Sequence, residues 1–319
     1  MIKVLYLPLN GAIKQTGMYD AFKACGVDLT IFDYFSKKNQ RNPAIARKEF
    51  LSVVESIKPD LIHMQLQFTS IINGATLAES KRICPNAVIT NWTGDIRKNV
   101  PGEFVDASRG VDISLISSVG QIDLYKSKLI NKDVRYWQIG YNPKLYFPQN
   151  KKEFKYDLSF AAAKYEDNIF PDSKLRTQAV TLLLNKYKDR FGLFGGNWGN
   201  KHKSIAQSGV NNIYAQSFAC LSISNFNSEY LYFSDRLLMC LASARPTISW
   251  TFPGWEAYFS DMENVVMVNK IEDIPKKLEW LKANPGRANE IGRAGAELVL
   301  REHSYFNRAA ELLRMVGLQ

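Results

Sequence analysis

Residues 58–97 read KPDLIHMQLQFTSIINGATLAESKRICPNAVITNWTGDIR, and their pattern decides the fold class. Lys58-Pro59-Asp60 signals a turn, and Leu61 to Met64 follows as a short apolar run. Gly74 to Ile83 then has helix length, Cys84-Pro85-Asn86 turns the chain again, and Ala87 to Trp92 makes a second β-branched run. Strands that are apolar on both faces and alternate with helices belong to an open parallel sheet covered on both sides. The expected class is α/β, doubly wound.

The alternation continues outward in both directions. Upstream lie strands at Lys3 to Leu7 and Leu29 to Asp33, with helices over Gly17 to Cys25 and Ala44 to Ile57. Downstream lie strands at Asp112 to Ser117 and Val134 to Ile139, with a helix over Val119 to Leu129. The periodicity stops at Tyr141 to Lys155, where two prolines and a lysine cluster mark a linker. It restarts with strands at Asp157 to Ala162, Arg190 to Phe194, Ala219 to Ser224, Thr247 to Trp250 and Val265 to Val268. Helices fall at Lys174 to Tyr187 and Ser234 to Ala244, and the tail from Ile271 reads as helix alone. Two Rossmann-like domains are therefore expected, 1–148 and 149–319, facing across a cleft with ligands at the carboxyl ends of the strands and helices finishing the second domain.

The 319 residues carry 41 Lys+Arg against 31 Asp+Glu, a formal charge of +10 that favours polyanionic partners such as nucleic acid, anionic lipid or phosphorylated substrates. At 46% hydrophobic and 23% charged, the composition excludes collagen-like, low-complexity and disordered classes. No apolar run approaches the ~20 residues of a membrane span, and Met1 to Leu9 is too short for a signal peptide. Neither a span nor Sec export is expected, and the location expected is cytoplasmic. Cys25, Cys84, Cys220 and Cys240 form no Cys-x-x-Cys pair, so reduced, buried thiols are expected.

Asn10-Gly11 follows the first strand, where a glycine admits a ligand or simply turns the chain. No GxGxxG, P-loop or GxSxG motif accompanies it. Asn91-Trp92-Thr93-Gly94-Asp95-Ile96-Arg97 ends a strand in an aromatic and then sets a carboxylate and a guanidinium at the sheet edge. Asp95 is the candidate general base or sugar-orienting group, with Trp92, Arg97 and Lys98 as acceptor contacts; the alternative is that Asp95 caps its turn and pairs with Arg97. In the second half, Gly195-Gly196-Asn197-Trp198 offers backbone amides to a base or phosphate, and Arg176 follows the preceding strand. Ser234 or Asp235 caps the next helix, and Arg236 in its first turn adds donors for a diphosphate. His63, His202 and His303 have no metal-ligand spacing, His63 reads as a near-core residue, and no essential metal or cofactor is expected.

The run Ser234-Asp235-Arg236 through Ala244-Arg245-Pro246-Thr247-Ile248, with Pro253-Gly254-Trp255-Glu256, Asn264-Val265-Val266 and His303-Ser304, resembles the spore-maturation-protein-like (CgeB-like) glycosyltransferases. Gly94-Asp95 with Arg97, and Phe194-Gly195-Gly196-Asn197-Trp198, fit the same family, which belongs to the two-domain GT-B enzymes of the retaining, family-4-like type. The resemblance implies transfer of a sugar from a nucleotide sugar, with the acceptor on the first domain and the donor on the second. It implies Gly11 near the donor diphosphate, Arg176 and Arg236 on phosphates, and the Gly195 to Trp198 loop beside the base. Two positions depart from it. Relatives usually have a ribose-binding Glu where this chain has Met239, which passes that role to Glu229, Asp235 or the backbone. Many also have a His where this chain has Trp92, which leaves Asp95 for the catalytic role.

The acceptor is read from the charge surplus. Basic stretches at Lys37 to Arg41, Arg47-Lys48, Lys126 to Lys132, Lys151-Lys152 and Lys201 to Lys203 are interleaved with Tyr34, Phe35, Tyr125, Tyr136 and Trp137. They fit a partner whose phosphates they neutralise, DNA or RNA, and the resemblance, through phage enzymes of this fold class, implies a hydroxymethylated base in DNA as acceptor. An envelope glycan, lipid-linked or protein acceptor with peripheral membrane contact is the alternative, and a non-catalytic nucleotide-binding protein or an epimerase on the same fold are further ones.

Overall fold

The computed structural model describes residues 1–9, 16–151, 153–199 and 204–319. The chain divides into two compact units, residues 1–139 with 305–319, and residues 140–304. The division thus falls at 139/140 rather than 148/149, and the last helix returns to the first unit.

The first unit runs β1 (Lys3–Leu7), α1 (Thr16–Ala24), β2 (Asp28–Ile31), α2 (Lys37–Arg41), α3 (Pro43–Ile57), β3 (Leu61–Met64), α4 (Gly74–Ile83), β4 (Val88–Thr93), α5 (Gly102–Ala107), β5 (Ile113–Ile116), α6 (Ile122–Lys128) and β6 (Val134–Tyr136). Its six strands lie in the order β2-β1-β3-β4-β5-β6, all neighbours parallel. Successive β1 side chains take opposite faces, as the pleat requires. Val4 and Tyr6 pack with Met18, Ala21 and Phe22 of α1, while Leu5 and Leu7 pack with Phe50 and Val54 of α3. Local signals bound the helices: Pro43 opens α3, Lys58 ends it in the left-handed region at φ 47°, and Asn73 accepts the Thr76 amide to cap α4.

The second unit runs β7 (Tyr156–Ala161), α7 (Ser173–Tyr187), β8 (Phe191–Phe194), α8 (Gln207–Ala215), β9 (Ser217–Ser222), α9 (Asp235–Ala242), β10 (Thr247–Trp250), β11 (Val266–Val268), α10 (Asp273–Ala283) and α11 (Pro285–Glu302). Its sheet is also parallel, in the order β11-β10-β9-β7-β8. Leu158, Phe160, Leu221, Ile223 and Ile248 form its core with α7, α10 and α11.

The chain then re-enters the first unit as α12 (Tyr305–Met315). Tyr305, Ala309, Leu312 and Leu313 recur at one helical face and pack into the cluster that α1 and β1 share. Trp137 is buried in that cluster, and its indole N–H donates to the Arg308 carbonyl at 3.3 Å. Among the described residues no helix is long and apolar enough to cross a membrane.

Candidate functional site

In the second sheet β7 and β9 are neighbours although β8 intervenes in sequence, so the helices leave them in opposite directions. Such a switch point opens a crevice at the carboxyl ends of the strands. Two arginines occupy it. Arg236, second residue of α9, donates from Nε to the Ala161 carbonyl at 2.9 Å and from Nη1 to the Ile223 carbonyl at 3.2 Å. Arg176, in the first turn of α7, is 3% exposed and donates from Nη2 to the Ala163 carbonyl at 3.0 Å and from Nη1 to Asn225 Oδ1. Both guanidiniums lie over the Phe160 ring, 5.4 and 5.3 Å from its centroid.

Neither arginine has an ion-pair partner among the described residues, and the Arg176 Nε–H has no acceptor. The carboxylate of Asp172, which faces Arg176, is committed elsewhere: it accepts from Asn227 N at 2.6 Å and Asn227 Nδ2 at 3.0 Å. Burial, and then the positive charge of Arg236, push Arg176 down to about 9. A crevice with two cations, neither in a direct ion pair among the described residues, and an unsatisfied donor has the chemistry to take an anion.

The glycine-rich loop after β8 is latched onto the loop after β7. Gly195 has φ +124°, and a Cβ there would meet the Ala162 oxygen at 2.2 Å, so only glycine fits. The Trp198 indole donates to that same oxygen at 2.6 Å, and the Lys164 amide donates to the Gly196 carbonyl at 2.9 Å. Asn197, at φ +69°, donates to the Lys164 carbonyl at 3.3 Å. Lys164, Tyr165, Glu166, Asp167, Ile169 and Asn197 line an open cavity of about 790 Å³. Ala163, whose carbonyl accepts from Arg176, directly precedes Lys164 and Tyr165, so the cavity adjoins the arginine crevice. Gly196 borders open space, and Trp198 fastens the loop through its N–H.

At the start of α9 the Ser234 hydroxyl accepts from Arg236 Nη1 at 3.4 Å and caps no amide. Asp235 and Glu229 are half-buried. Met239 packs against the Tyr214, Cys220 and Cys240 cluster, which explains an apolar side chain there. Asn10 and Gly11 lie outside the described residues.

In the first unit the sequence reading needs correction. Trp92 is 4% exposed, its N–H donates to the Trp137 carbonyl at 3.2 Å, and its ring meets Trp137 edge-on at 5.0 Å. It is a core residue and offers no face to an acceptor. Gly94 exists to admit it, because a Cβ would lie 2.9 Å from the indole. Tyr34, Tyr125 and Trp137 are equally buried, so they are not stacking platforms. Several basic residues also have local tasks: Lys132 Nζ donates to the carbonyls that end α6, and Lys81 pairs with Asp112. His63 is buried between Tyr6, Phe22 and Trp137, hydrogen-bonded to Thr90 Oγ1 at 2.9 Å, and burial pushes it down to about 3.

Asp95 follows β4 with its side chain 58% exposed and pairs loosely with Arg97 at 3.9 Å; Lys98 is exposed beyond them. Arg97 lines a cavity of about 230 Å³ together with Gln67, Phe68, Thr93, Glu103 and Phe104. Sequence reasoning missed Phe68, Gln67, Glu103, Phe160 and Asn225. Phe160 is hidden in a strand, and the rest lie in loops or at a helix start, where only the fold shows what they face.

Among the described residues no three His, Cys, Asp or Glu side chains converge as metal ligands. Residues 176–314 match a family model described as glycosyl transferase-like, a span that includes both arginines. No curated protein matches the chain in sequence. Among solved structures, a glycosyltransferase from Rickettsia africae is similar with a TM-score of 0.65 at 13% identity, covering 99% of this chain and 97% of that one. Anabaena HepE in complex with UDP and glucose gives 0.65 at 9% identity, covering all of both chains. A DNA-modifying β-glucosyltransferase, studied with and without uridine diphosphoglucose, gives 0.64 at 10% identity, covering 99% of this chain and 100% of that one. With two parallel sheets flanked by helices and these neighbours, the chain has the fold of the GT-B glycosyltransferases.

Proposed function

We propose that the protein transfers a sugar from a nucleotide diphosphate sugar, a UDP-sugar, to a hydroxyl acceptor, a hydroxymethylated base in DNA. The observation that carries the donor half is the Arg176 and Arg236 pair at the switch point of the second sheet, buried or half-buried and in no direct ion pair among the described residues. A diphosphate supplies the missing charge, and the forked guanidiniums match its oxygens. The cavity lined by Tyr165 and Asn197 adjoins that crevice and takes the nucleoside, with Asp235 or Glu229 on the ribose hydroxyls. The similar structures with UDP and with UDP-glucose support this donor.

In the transfer step the acceptor oxygen bonds to the sugar anomeric carbon, the bond from that carbon to the phosphate oxygen breaks, and the nucleoside diphosphate leaves with the electron pair. Asp95 receives the hydroxyl proton. Arginines rather than a metal ion stabilise the leaving diphosphate. The charge surplus and the DNA-modifying neighbour support the DNA acceptor.

The deciding experiment incubates the protein with mixed UDP-, GDP- and ADP-sugars and either hydroxymethylcytosine-containing or plain DNA, with mass spectrometry of the nucleosides. A sugar mass on the modified nucleoside alone, unaffected by EDTA, is expected; its absence with every donor overturns the DNA acceptor. Arg236→Ala loses one charge-assisted contact, so UDP affinity falls about 10- to 150-fold. Unchanged UDP affinity would remove the crevice from the reading.

A further inference from the structure

The cavity of about 230 Å³ in the first unit has a flat apolar wall that the sequence did not announce. Phe68 lines it with 41% of its surface exposed, and its ring stacks on Phe35 at 4.4 Å with 16° between the planes. An exposed phenylalanine is held this way only because its loop is braced. The Leu66 amide donates to Asn91 Oδ1 at 2.9 Å, and the Gln67 amide to Tyr34 Oη at 3.2 Å. Arg47 on α3 donates to the Ser70 and Ile71 carbonyls at 2.6 and 2.9 Å. The ring is therefore fixed before any ligand arrives, which lowers the entropy cost of stacking on it.

Around this wall stand an amide, a guanidinium and a carboxylate: Gln67, Arg97 and Glu103, the last in the first turn of α5. The volume is below the ~300–1,000 Å³ of pockets that enclose drug-sized ligands, so it takes a single ring. Asp95 lies 3.9 Å from Arg97, which lines the cavity.

We propose that this cavity seats a 5-hydroxymethylated pyrimidine swung out of a nucleic-acid strand, stacked on Phe68 with its edge read by Gln67, Arg97 and Glu103. The inference rests on the transfer activity above and names the part of the acceptor that the first unit holds. A flat base extends the Phe35–Phe68 column by a third ring, and base–aromatic stacking does not require a particular sequence around it. A pyrimidine edge mixes amine or imide donors with carbonyl acceptors, which the carboxylate and the two donor side chains complement. The surplus of +10 over the chain draws in the strand that carries the base.

The test is a binding titration of the full chain, without donor, using short single-stranded oligonucleotides that carry one 5-hydroxymethylcytosine or 5-hydroxymethyluracil, read by fluorescence anisotropy at fixed salt. Phe68→Leu keeps an apolar side chain and removes the ring; it should weaken oligonucleotide binding about 5- to 150-fold, while Phe68→Tyr retains it. Glu103→Gln should change the preference between the two pyrimidines. UDP affinity, measured on the same samples, should be equal in wild type and Phe68→Leu. If Phe68→Leu binds oligonucleotide as wild type does, or if oligosaccharide acceptors saturate the cavity and oligonucleotides do not, the pyrimidine site is overturned. Because the titration needs no donor, failure of the transfer reading appears separately as lost UDP binding.

Discussion

Arg176 is the residue whose environment demands a ligand. Burial and the neighbouring charge of Arg236 both work against its guanidinium, and a bound diphosphate would relieve that strain. Arg176→Gln should therefore lower UDP affinity about 10- to 150-fold, read by calorimetry. Unchanged affinity would show that Arg176 does not face the diphosphate. His63 couples stability to pH at the acid end. Held neutral down to about 3, it resists the proton that the unfolded chain accepts near 6.5, and the stability it contributes is lost as the pH falls between those values. Urea midpoints at pH 7 and pH 4.5 should differ less in His63→Gln than in wild type. Asp95→Asn should abolish transfer with UDP affinity unchanged, since the proposed donor contacts lie in other residues; undiminished transfer would remove Asp95 from catalysis.

At the scale of elements, the strand–helix alternation was legible because apolar runs, Pro59 and Pro85 turns and helix caps are local signals. The β3, α4 and β10 bounds, Leu61–Met64, Gly74–Ile83 and Thr247–Trp250, coincide with those expected. The helices α2, α5 and α8 were not expected: α2 and α5 span five and six residues, and α8 lacks charged terminal signals. The loop after β8 was readable as glycine-rich, but not which glycine mattered. Gly195→Ala should cost roughly 2 kcal/mol or more, because the left-handed backbone and the Ala162 oxygen both oppose a Cβ. Gly196→Ala, which meets nothing within 4 Å, should cost far less. Thermal melts of the two variants compare them directly, and equal melting points would mean that the latch is not formed.

For the whole molecule the informative element is α12, which is last in sequence and packed on the first unit. Leu312 is fully buried there, so Leu312→Ala should cost about 2–5 kcal/mol and act on the first unit's core. Hydrogen exchange should show the loss of protection in α1, β1 and α12 together, while exchange in β7 to β9 stays as in wild type. Protection lost evenly across both units would contradict this allocation.

The sequence by itself determined the α/β class, the two parallel sheets and the positions of Arg176, Arg236 and Asp95 near strand ends or helix starts, because hydrophobic period, turn residues and caps act over a few neighbouring residues. Only the tertiary structure decided that Trp92 belongs to a core, that Phe68 stands open beside Arg97 and Glu103, and that Asp172 turns its oxygens to Asn227 and makes no direct ion pair with Arg176. Burial and charge pairing depend on which distant segments meet, and a linear pattern carries no term for that.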